Sequence, residues 1–166
     1  MKGQPFGNPH AVGYVLGSCL LLSCATVEQL LPITMSNGDV LGLLDTVDQL
    51  EIAAARLGQQ HASAQTVKAF ATRLAQEHAI ALEERHDLAD QVNVEPKKPK
   101  LALALEEESA KARNRLQKTS GHEFDQAYIA NQIMVHQRLV LLLEDVEKSM
   151  RQPALRRMSE QMARIC

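Results

Sequence analysis

Apolar residues recur every third or fourth position along most of the chain, the spacing that places them on one face of an α-helix. In the first such stretch they run from Val40 through Leu44 and Val47 to Leu57. Later stretches repeat the pattern, with polar segments between them. The pattern predicts helices over roughly 38–59, 64–92 and 101–118, a fourth helix of about 28 residues after Ser120, and a last one that begins at Pro153.

Residues with capping side chains precede three of these helices. Ser36–Asp39 supplies N-cap chemistry before the first helix, and Ser63 is predicted to cap the second. Ser120 and Glu123 fit a capping box, in which each side chain accepts a hydrogen bond from a free amide at the helix start. The segment 93–99 contains two prolines, which cannot continue a helix, and therefore ends the second one.

The composition favours an all-α fold. Ala, Leu, Glu, Gln and Arg, all good helix formers, dominate, whereas runs rich in Val, Ile, Tyr and Thr, typical of strands, are missing. A chain of 166 residues suits one domain. Because the connections between helices are short, successive helices are expected to run antiparallel. Residues 37–166 are therefore predicted to form an antiparallel four-helix bundle with one short extra connecting helix.

The start of the chain has a different pattern. Lys2 is followed by an apolar run of about fourteen residues from Ala11 to Cys24. A membrane-spanning helix needs ~20 apolar residues, so the run is too short for one but suits the core of a signal peptide. A short hydrophobic helix docked on the bundle is the alternative. We expect a signal peptide at 1–24, a linker at 25–36, and export to the periplasm or outer membrane of a bacterium.

The end of the leader also suggests a membrane anchor. Leu21–Cys24 looks like the lipobox of bacterial lipoproteins, in which the cysteine becomes the acylated first residue of the mature chain. Leu22 is bulkier than the small residue usual at its position, and Cys19 is a second candidate. Lipidation at Cys24 would attach the protein to a membrane, and plain secretion is the alternative.

Charge and aromatic content exclude some partners. The formal net charge is −2, so no basic field would attract nucleic acid. Aromatic residues make up 3% of the chain and tryptophan is absent, which disfavours stacking platforms for bases. The sequence contains no glycine-rich phosphate loop, no nucleophile elbow and no nucleophile with a paired base. No catalytic residue is predicted, and a non-enzymatic role is favoured.

Three polar residues lie where the helical pattern expects apolar ones. Glu51, His78 and His136 lie on the apolar faces of the first, second and fourth predicted helices, at 100° per residue. Burying an ionisable group costs free energy unless it is paired, hydrogen-bonded or bound to a metal. A bundle turns these faces toward one another, and a carboxylate with two imidazoles is a ligand set for iron, manganese or zinc. Glu77 and Asp125 are candidate additional ligands.

A structural role is the alternative for each of these residues. A buried histidine often donates a hydrogen bond to a backbone carbonyl, and Glu51 has two candidate ion-pair partners, Arg85 and a protonated histidine. Arg85 falls on the same face as His78 and shows that this face tolerates polarity.

Three segments resemble the bacterial family called domain of unknown function 4142. They are Gly38–Glu51, Val67–His78 and Phe124–His136. The resemblance implies a ferritin-like fold in an exported, often outer-membrane, protein, and it brings no established activity. This chain has Glu77 where the family tends to have aspartate, and it ends before the histidine usual late in the last helix.

A di-iron centre is not expected. Such sites in ferritin-like proteins need a Glu-x-x-His pair on each of two helices. Here that spacing occurs once, at Glu83 and His86, and Glu83 points about 140° away from His78. Two hypotheses follow. The preferred one is a non-enzymatic envelope protein with a role in surface integrity, stress response or partner binding. The alternative is a metal-binding protein for storage or modest redox chemistry.

Overall fold

The computed structural model describes residues 35–150 and 153–165, and these residues fold into α-helices without a strand. The elements are α1 (Asn37–His61), α2 (Gln65–Gln91), α3 (Lys100–Leu116), α4 (Gly121–Ser149) and α5 (Pro153–Ile165). The all-α prediction is confirmed, and the predicted helix ends agree within about two residues. The predicted signal peptide at 1–24, its Cys24 and most of the predicted linker lie outside the described residues.

Helix α1 is the most buried element, because apolar side chains project from nearly all sides of its first half. Val40, Leu41, Leu43 and Leu44 are each almost fully buried. α1 packs mainly along α2 and also contacts α3 and α4, while α5 packs on α4 and α2. α1 and α2 run antiparallel, since residues late in α1 contact residues early in α2. Glycine 58 of α1, for example, faces Ala71 of α2.

The buried apolar residues form two separate clusters. The first apolar cluster joins the start of α1 to the ends of α2 and α4 and includes Leu43, Ala89, Leu143 and Val146. The second apolar cluster joins the end of α1 to the starts of α2 and α4 and contains Leu57, Ala62, Ala71, Leu116, Phe124 and Tyr128. Between them the same three helices carry buried polar residues, here called the polar layer: Asp45, Asp48, Glu51, His78, Arg85, Gln132 and, half-buried, His136.

The connection between α2 and α3 crosses α1 at very short range. The backbone N–H of Lys97 donates a hydrogen bond to the carbonyl oxygen of Gly38 at 2.8 Å. A Cβ atom on Gly42 would lie 1.8 Å from the carbonyl oxygen of Lys97. Glycine at position 42 is therefore required by the close approach of two backbones, and it fixes the proline-containing segment against the first half of α1.

The predicted cap of α1 is confirmed and that of α2 is wrong. Ser36 and Asp39 form a capping box, in which the Asp39 N–H donates to Ser36 Oγ at 3.2 Å and the Ser36 N–H donates to Asp39 Oδ2 at 3.1 Å. In α2 the N-cap is Ala64, without a capping side chain of its own. The carboxylate of Asp125 on α4 instead accepts hydrogen bonds from the N–H of Ser63 and of Ala64, each at 2.8 Å. A side chain of α4 therefore caps α2.

The capping box predicted for α4 is also wrong. The side chain of Ser120 accepts no cap hydrogen bond at the start of this helix. Gly121 follows with φ of +59°, in the left-handed region that favours glycine, so the chain enters α4 by a backbone turn. Within the described residues, none of the helices combines the length and the apolar character needed to cross a membrane.

Candidate metal centre

The structure brings Glu51, His78 and His136 together in the polar layer. One ligand atom from each side chain lies within 4.8 Å of the other two. Glu51 is 4% exposed and His78 is fully buried, while His136 is half-buried. The two imidazole rings are 6.1 Å apart between centroids and inclined by 66°. Each residue comes from a different helix, as the angular placement in the sequence predicted.

Hydrogen bonds on the outer side of each imidazole fix its tautomer. His78 Nδ1–H donates to Asp48 Oδ1 at 2.7 Å, and both side chains are fully buried. His136 Nδ1–H donates to the carbonyl oxygen of Gln132, one turn earlier on α4, at 2.9 Å. Since a carboxylate and a carbonyl only accept, both Nδ1 atoms carry the proton. In the neutral imidazole each Nε2 atom then presents a lone pair, which is the form in which histidine binds a metal.

Two buried acceptor atoms in the site have no hydrogen-bond partner among the described residues. They are His78 Nε2 and Glu51 Oε2. A buried polar atom without a partner costs about 1–3 kcal/mol. Tyr128 lies at the edge of this group, and its buried hydroxyl also lacks a hydrogen-bond partner there. The side-chain amide of Gln132 is close enough to Glu51 to favour the ionised carboxylate and so to lower its pKa. A ring nitrogen of each histidine and a carboxylate oxygen thus lie close together, an arrangement that a bound cation would stabilise.

The electrostatic environment of Glu51 reflects its burial. Desolvation raises the pKa of this carboxyl above its usual value, and the neighbouring His136 and His78 oppose the rise. Burial also raises the pKa of Tyr128, and the charge of Glu51 adds to that rise. Tyr128 is therefore a neutral hydroxyl beside the carboxylate, able to donate a hydrogen bond and unable to supply a second negative charge.

A buried ion-pair network contacts His78 on the Nδ1 side of its ring. Asp48 Oδ2 lies 2.5 Å from Arg85 Nη2, and Arg85 Nη1 donates to Asp45 Oδ1 at 3.1 Å. The network reaches the surface at His86, whose Nε2 lies 3.4 Å from Asp45 Oδ2. Arg85 thus pairs with Asp45 and Asp48 and not with Glu51, which was its alternative partner in the sequence. Asp48 thus lies between Arg85 and His78, and its hydrogen bond with His78 Nδ1 orients the imidazole ring.

Sequence reasoning missed Asp45 and Asp48. Two signals could have found them. Asp48 precedes Glu51 by three residues, so both lie on neighbouring parts of one helix face. His78 and Arg85 are seven residues apart on α2, which is two turns of the same face, and a buried arginine needs an acidic partner.

The structure does not bring Glu77 or Asp125 to this site. Glu77 lies on the outer side of α2, and its Oε1 is 3.5 Å from Arg73 Nε in a solvent-exposed ion pair. Neighbouring positions on a helix differ by 100°, so a residue directly before an inward histidine points away from it. Asp125 is engaged at the start of α2, where its Oδ2 accepts the Ser63 hydroxyl at 2.5 Å. Glu83 is exposed, as its angle predicted.

The fold and the site together define an all-helical protein with a buried carboxylate–histidine cluster between its helices. The model of the family Domain of unknown function (DUF4142) matches residues 23–165, and the chain belongs to this family. The family resemblance drawn from three sequence segments is thereby confirmed. No curated protein and no solved structure matches the chain significantly. The family name carries no activity, so the chemistry of the site is the guide to function.

Proposed function

We propose that this protein binds one divalent transition-metal ion through Glu51, His78 and His136. The observation that carries the proposal is that one ring nitrogen of each histidine and one carboxylate oxygen of Glu51 lie within 4.8 Å of one another. A metal ion satisfies all three atoms at once. Without a cation or a proton, the same three atoms repel each other in a region of low dielectric constant.

The spacing of the three atoms is close to that of a bound site. Ligands about 2.1 Å from a tetrahedral ion lie about 3.4 Å from one another. The side chains therefore need to approach each other by at most about 1.4 Å from the limit of 4.8 Å found here, a movement that small rotamer changes supply. His136 is the least buried of the three, so it has the most freedom to move.

The ligand types narrow the class of metal. Nitrogen and carboxylate donors suit zinc, iron(II) and manganese(II), and two histidines with one carboxylate leave coordination positions open. A ligand set of two histidines and one carboxylate supports two uses, which are storage of the ion and modest redox chemistry. An antiparallel four-helix, ferritin-like architecture is part of the proposal, supported by the contribution of one ligand each from α1, α2 and α4.

A purely structural role is the competing interpretation. In it, a proton on one Nε2 forms a buried ion pair with Glu51, and no metal is bound. Metal analysis of the purified full-length protein, equilibrated with zinc, manganese(II) or iron(II) and then desalted, distinguishes the two. We expect about one ion per chain, lost in His78→Ala and in His136→Ala, and retained in the control His122→Ala, whose histidine is exposed at the start of α4.

The thermal unfolding of the same variants keeps the test decisive. His78→Ala leaves Asp48 without its hydrogen bond and is expected to be less stable, whereas half-buried His136 can be replaced at lower cost. A His136→Ala protein that stays folded and binds no metal supports the proposal. A wild-type protein that retains no metal, with variants that are merely less stable, overturns it.

Location in the cell envelope is a further part of the proposal. It rests on the apolar run from Ala11 to Cys24 and on the lipobox-like Leu21–Cys24. Mass spectrometry of the mature N-terminus tests it, because lipidation adds acyl chains to Cys24 and removes the preceding residues. A Cys24→Ser protein should then leave the membrane fraction. An unprocessed N-terminus starting at Met1 would contradict export.

A further inference from the structure

A cavity of about 450 Å³ lies between α1, α3 and α4, and Glu51 forms part of its lining. This volume falls within the range of small-molecule sites, ~300–1,000 Å³. The cavity therefore shares Glu51 with the proposed metal centre.

The inner walls of the cavity are apolar. Val47, Ala54, Leu116 and Leu139 line it and are each at least nine-tenths buried. These side chains come from all three surrounding helices. An alkyl chain placed against them would leave water, and each fully buried methylene strengthens binding up to about fourfold.

The outer lining of the cavity is basic. Lys111, Arg115 and Arg138 are exposed and Arg113 is half-buried. Arg113 Nη1 donates to Ser109 Oγ at 2.6 Å, and Lys111 pairs with the exposed Glu107. Glu108 is the acidic residue among the exposed lining residues, and its Oε2 is 3.7 Å from Arg138 Nη1. Positive charge therefore prevails where the cavity meets solvent. Glu51, the other acidic residue of the lining, disfavours a second negative charge beside it.

We propose that this cavity binds a small amphipathic organic anion, a carboxylate with an unbranched apolar chain. Its carboxylate lies at the mouth beside Arg113 and Arg138, and its chain extends inward along Val47 and Ala54. Arginine suits this role because its guanidinium can donate two parallel hydrogen bonds to a carboxylate. The inference deepens the proposed function, since Glu51 belongs both to the proposed metal site and to the lining of the cavity, but binding at the walls and mouth does not require the metal.

Calorimetric titration of the full-length, chelator-treated protein with octanoate tests the proposal. Octanol and octyltrimethylammonium are the comparison ligands, because they keep the chain and change the charge of the head group. We expect saturable binding of one octanoate per protein, with octanol roughly tenfold weaker, the contribution of a charge-assisted hydrogen bond. The ammonium compound should bind weakest. Equal binding of all three ligands, or no saturable binding of octanoate, overturns the proposal.

Two pairs of variants locate the ligand. Arg113→Gln combined with Arg138→Gln should weaken octanoate binding roughly tenfold and leave octanol unchanged. Its control is Arg56→Gln combined with Arg73→Gln, which removes the same charge from exposed positions outside the cavity. If both double variants weaken octanoate equally, binding reflects net charge alone and the proposed site is wrong.

The second pair tests the cavity itself. Ala112→Leu fills part of the lining and should abolish the binding of octanoate and octanol, whereas Ala104→Leu, exposed on the same helix, should bind both as the wild type does. Unchanged binding in Ala112→Leu contradicts the proposal. A zinc titration of the same samples judges the metal centre separately. Octanoate binding without zinc binding supports the cavity and overturns the metal site, and the reverse result does the opposite.

Discussion

In the absence of metal, the Glu51→Gln variant should be more stable to unfolding than the wild type. In the presence of metal, it should be less stable than the wild type. Glutamine keeps the size and shape of the side chain but exchanges an acceptor oxygen for an N–H donor. That donor can bond an Nε2 lone pair of His78 or His136, which relieves the convergence of acceptors described above. The same change removes the only negatively charged ligand, so metal binding is lost.

The magnitude follows from the unpartnered atoms. Glu51 Oε2 and His78 Nε2 are buried without a hydrogen bond in the described residues. Satisfying such a group recovers about 1–3 kcal/mol, which corresponds to a rise in melting temperature of about 3–10 °C for a domain of this size. The wild type gains about 4.1 kcal/mol from a metal present at a thousand times its dissociation constant, and the variant gains nothing. The order of stability of the two proteins therefore inverts between chelator and metal.

Thermal unfolding followed by circular dichroism, with chelator or with zinc, measures both halves of this prediction. Glu83→Gln is the control, because Glu83 is exposed on α2 and its replacement should change neither curve. The result that refutes the reasoning is a Glu51→Gln protein that is several kcal/mol less stable than the wild type in chelator. Such a loss means that Glu51 is already paired with a protonated imidazole, as in a buried ion pair.

Three further substitutions test the surroundings of the site. Asp48→Asn should weaken zinc binding roughly 10–100-fold, measured by competition with a chromophoric chelator, because Asp48 orients a ligand; an unchanged affinity would speak against this positioning role. Gly42→Ala should lower the free energy of unfolding, measured in urea, by about 1–3 kcal/mol, because the added Cβ would lie 1.8 Å from Lys97 O. Helix propensity alone predicts a more stable variant, and that result would contradict the close approach. Asp125→Asn should flatten the acid dependence of stability. The hydrogen bonds from Ser63 lower the pKa of Asp125, so its contribution is present above the unfolded pKa and is lost as pH falls through the folded one. Parallel melting curves of wild type and variant between about pH 5 and pH 2 would contradict it.

The convergence of Glu51, His78 and His136 could be predicted because each interrupts an apolar face, and apolar faces of neighbouring helices meet in the core. The supporting residues could not be predicted in the same way. Asp48 contacts His78 only because α1 and α2 pack with a particular residue-to-residue alignment along their axes. The spacing of apolar residues within one helix does not determine that alignment. Asp125 caps α2 from 62 residues along the chain, a contact that no local capping pattern contains. Ser120, by contrast, has the right local pattern, yet the left-handed Gly121 replaces the expected side-chain cap.

The polar layer also fixes how far α1 can slide along α2. Two apolar helix faces tolerate a shift of one turn, about 5.4 Å, because leucine and alanine side chains can repack against one another. The Asp48 carboxylate, however, bonds both His78 and Arg85, so a shift by one turn would leave acids and a guanidinium buried without partners. Breaking a buried charged pair costs about 3–5 kcal/mol. A single layer of charge between two apolar clusters thus selects one alignment of the helices, and with it the one alignment in which three ligands from three helices meet.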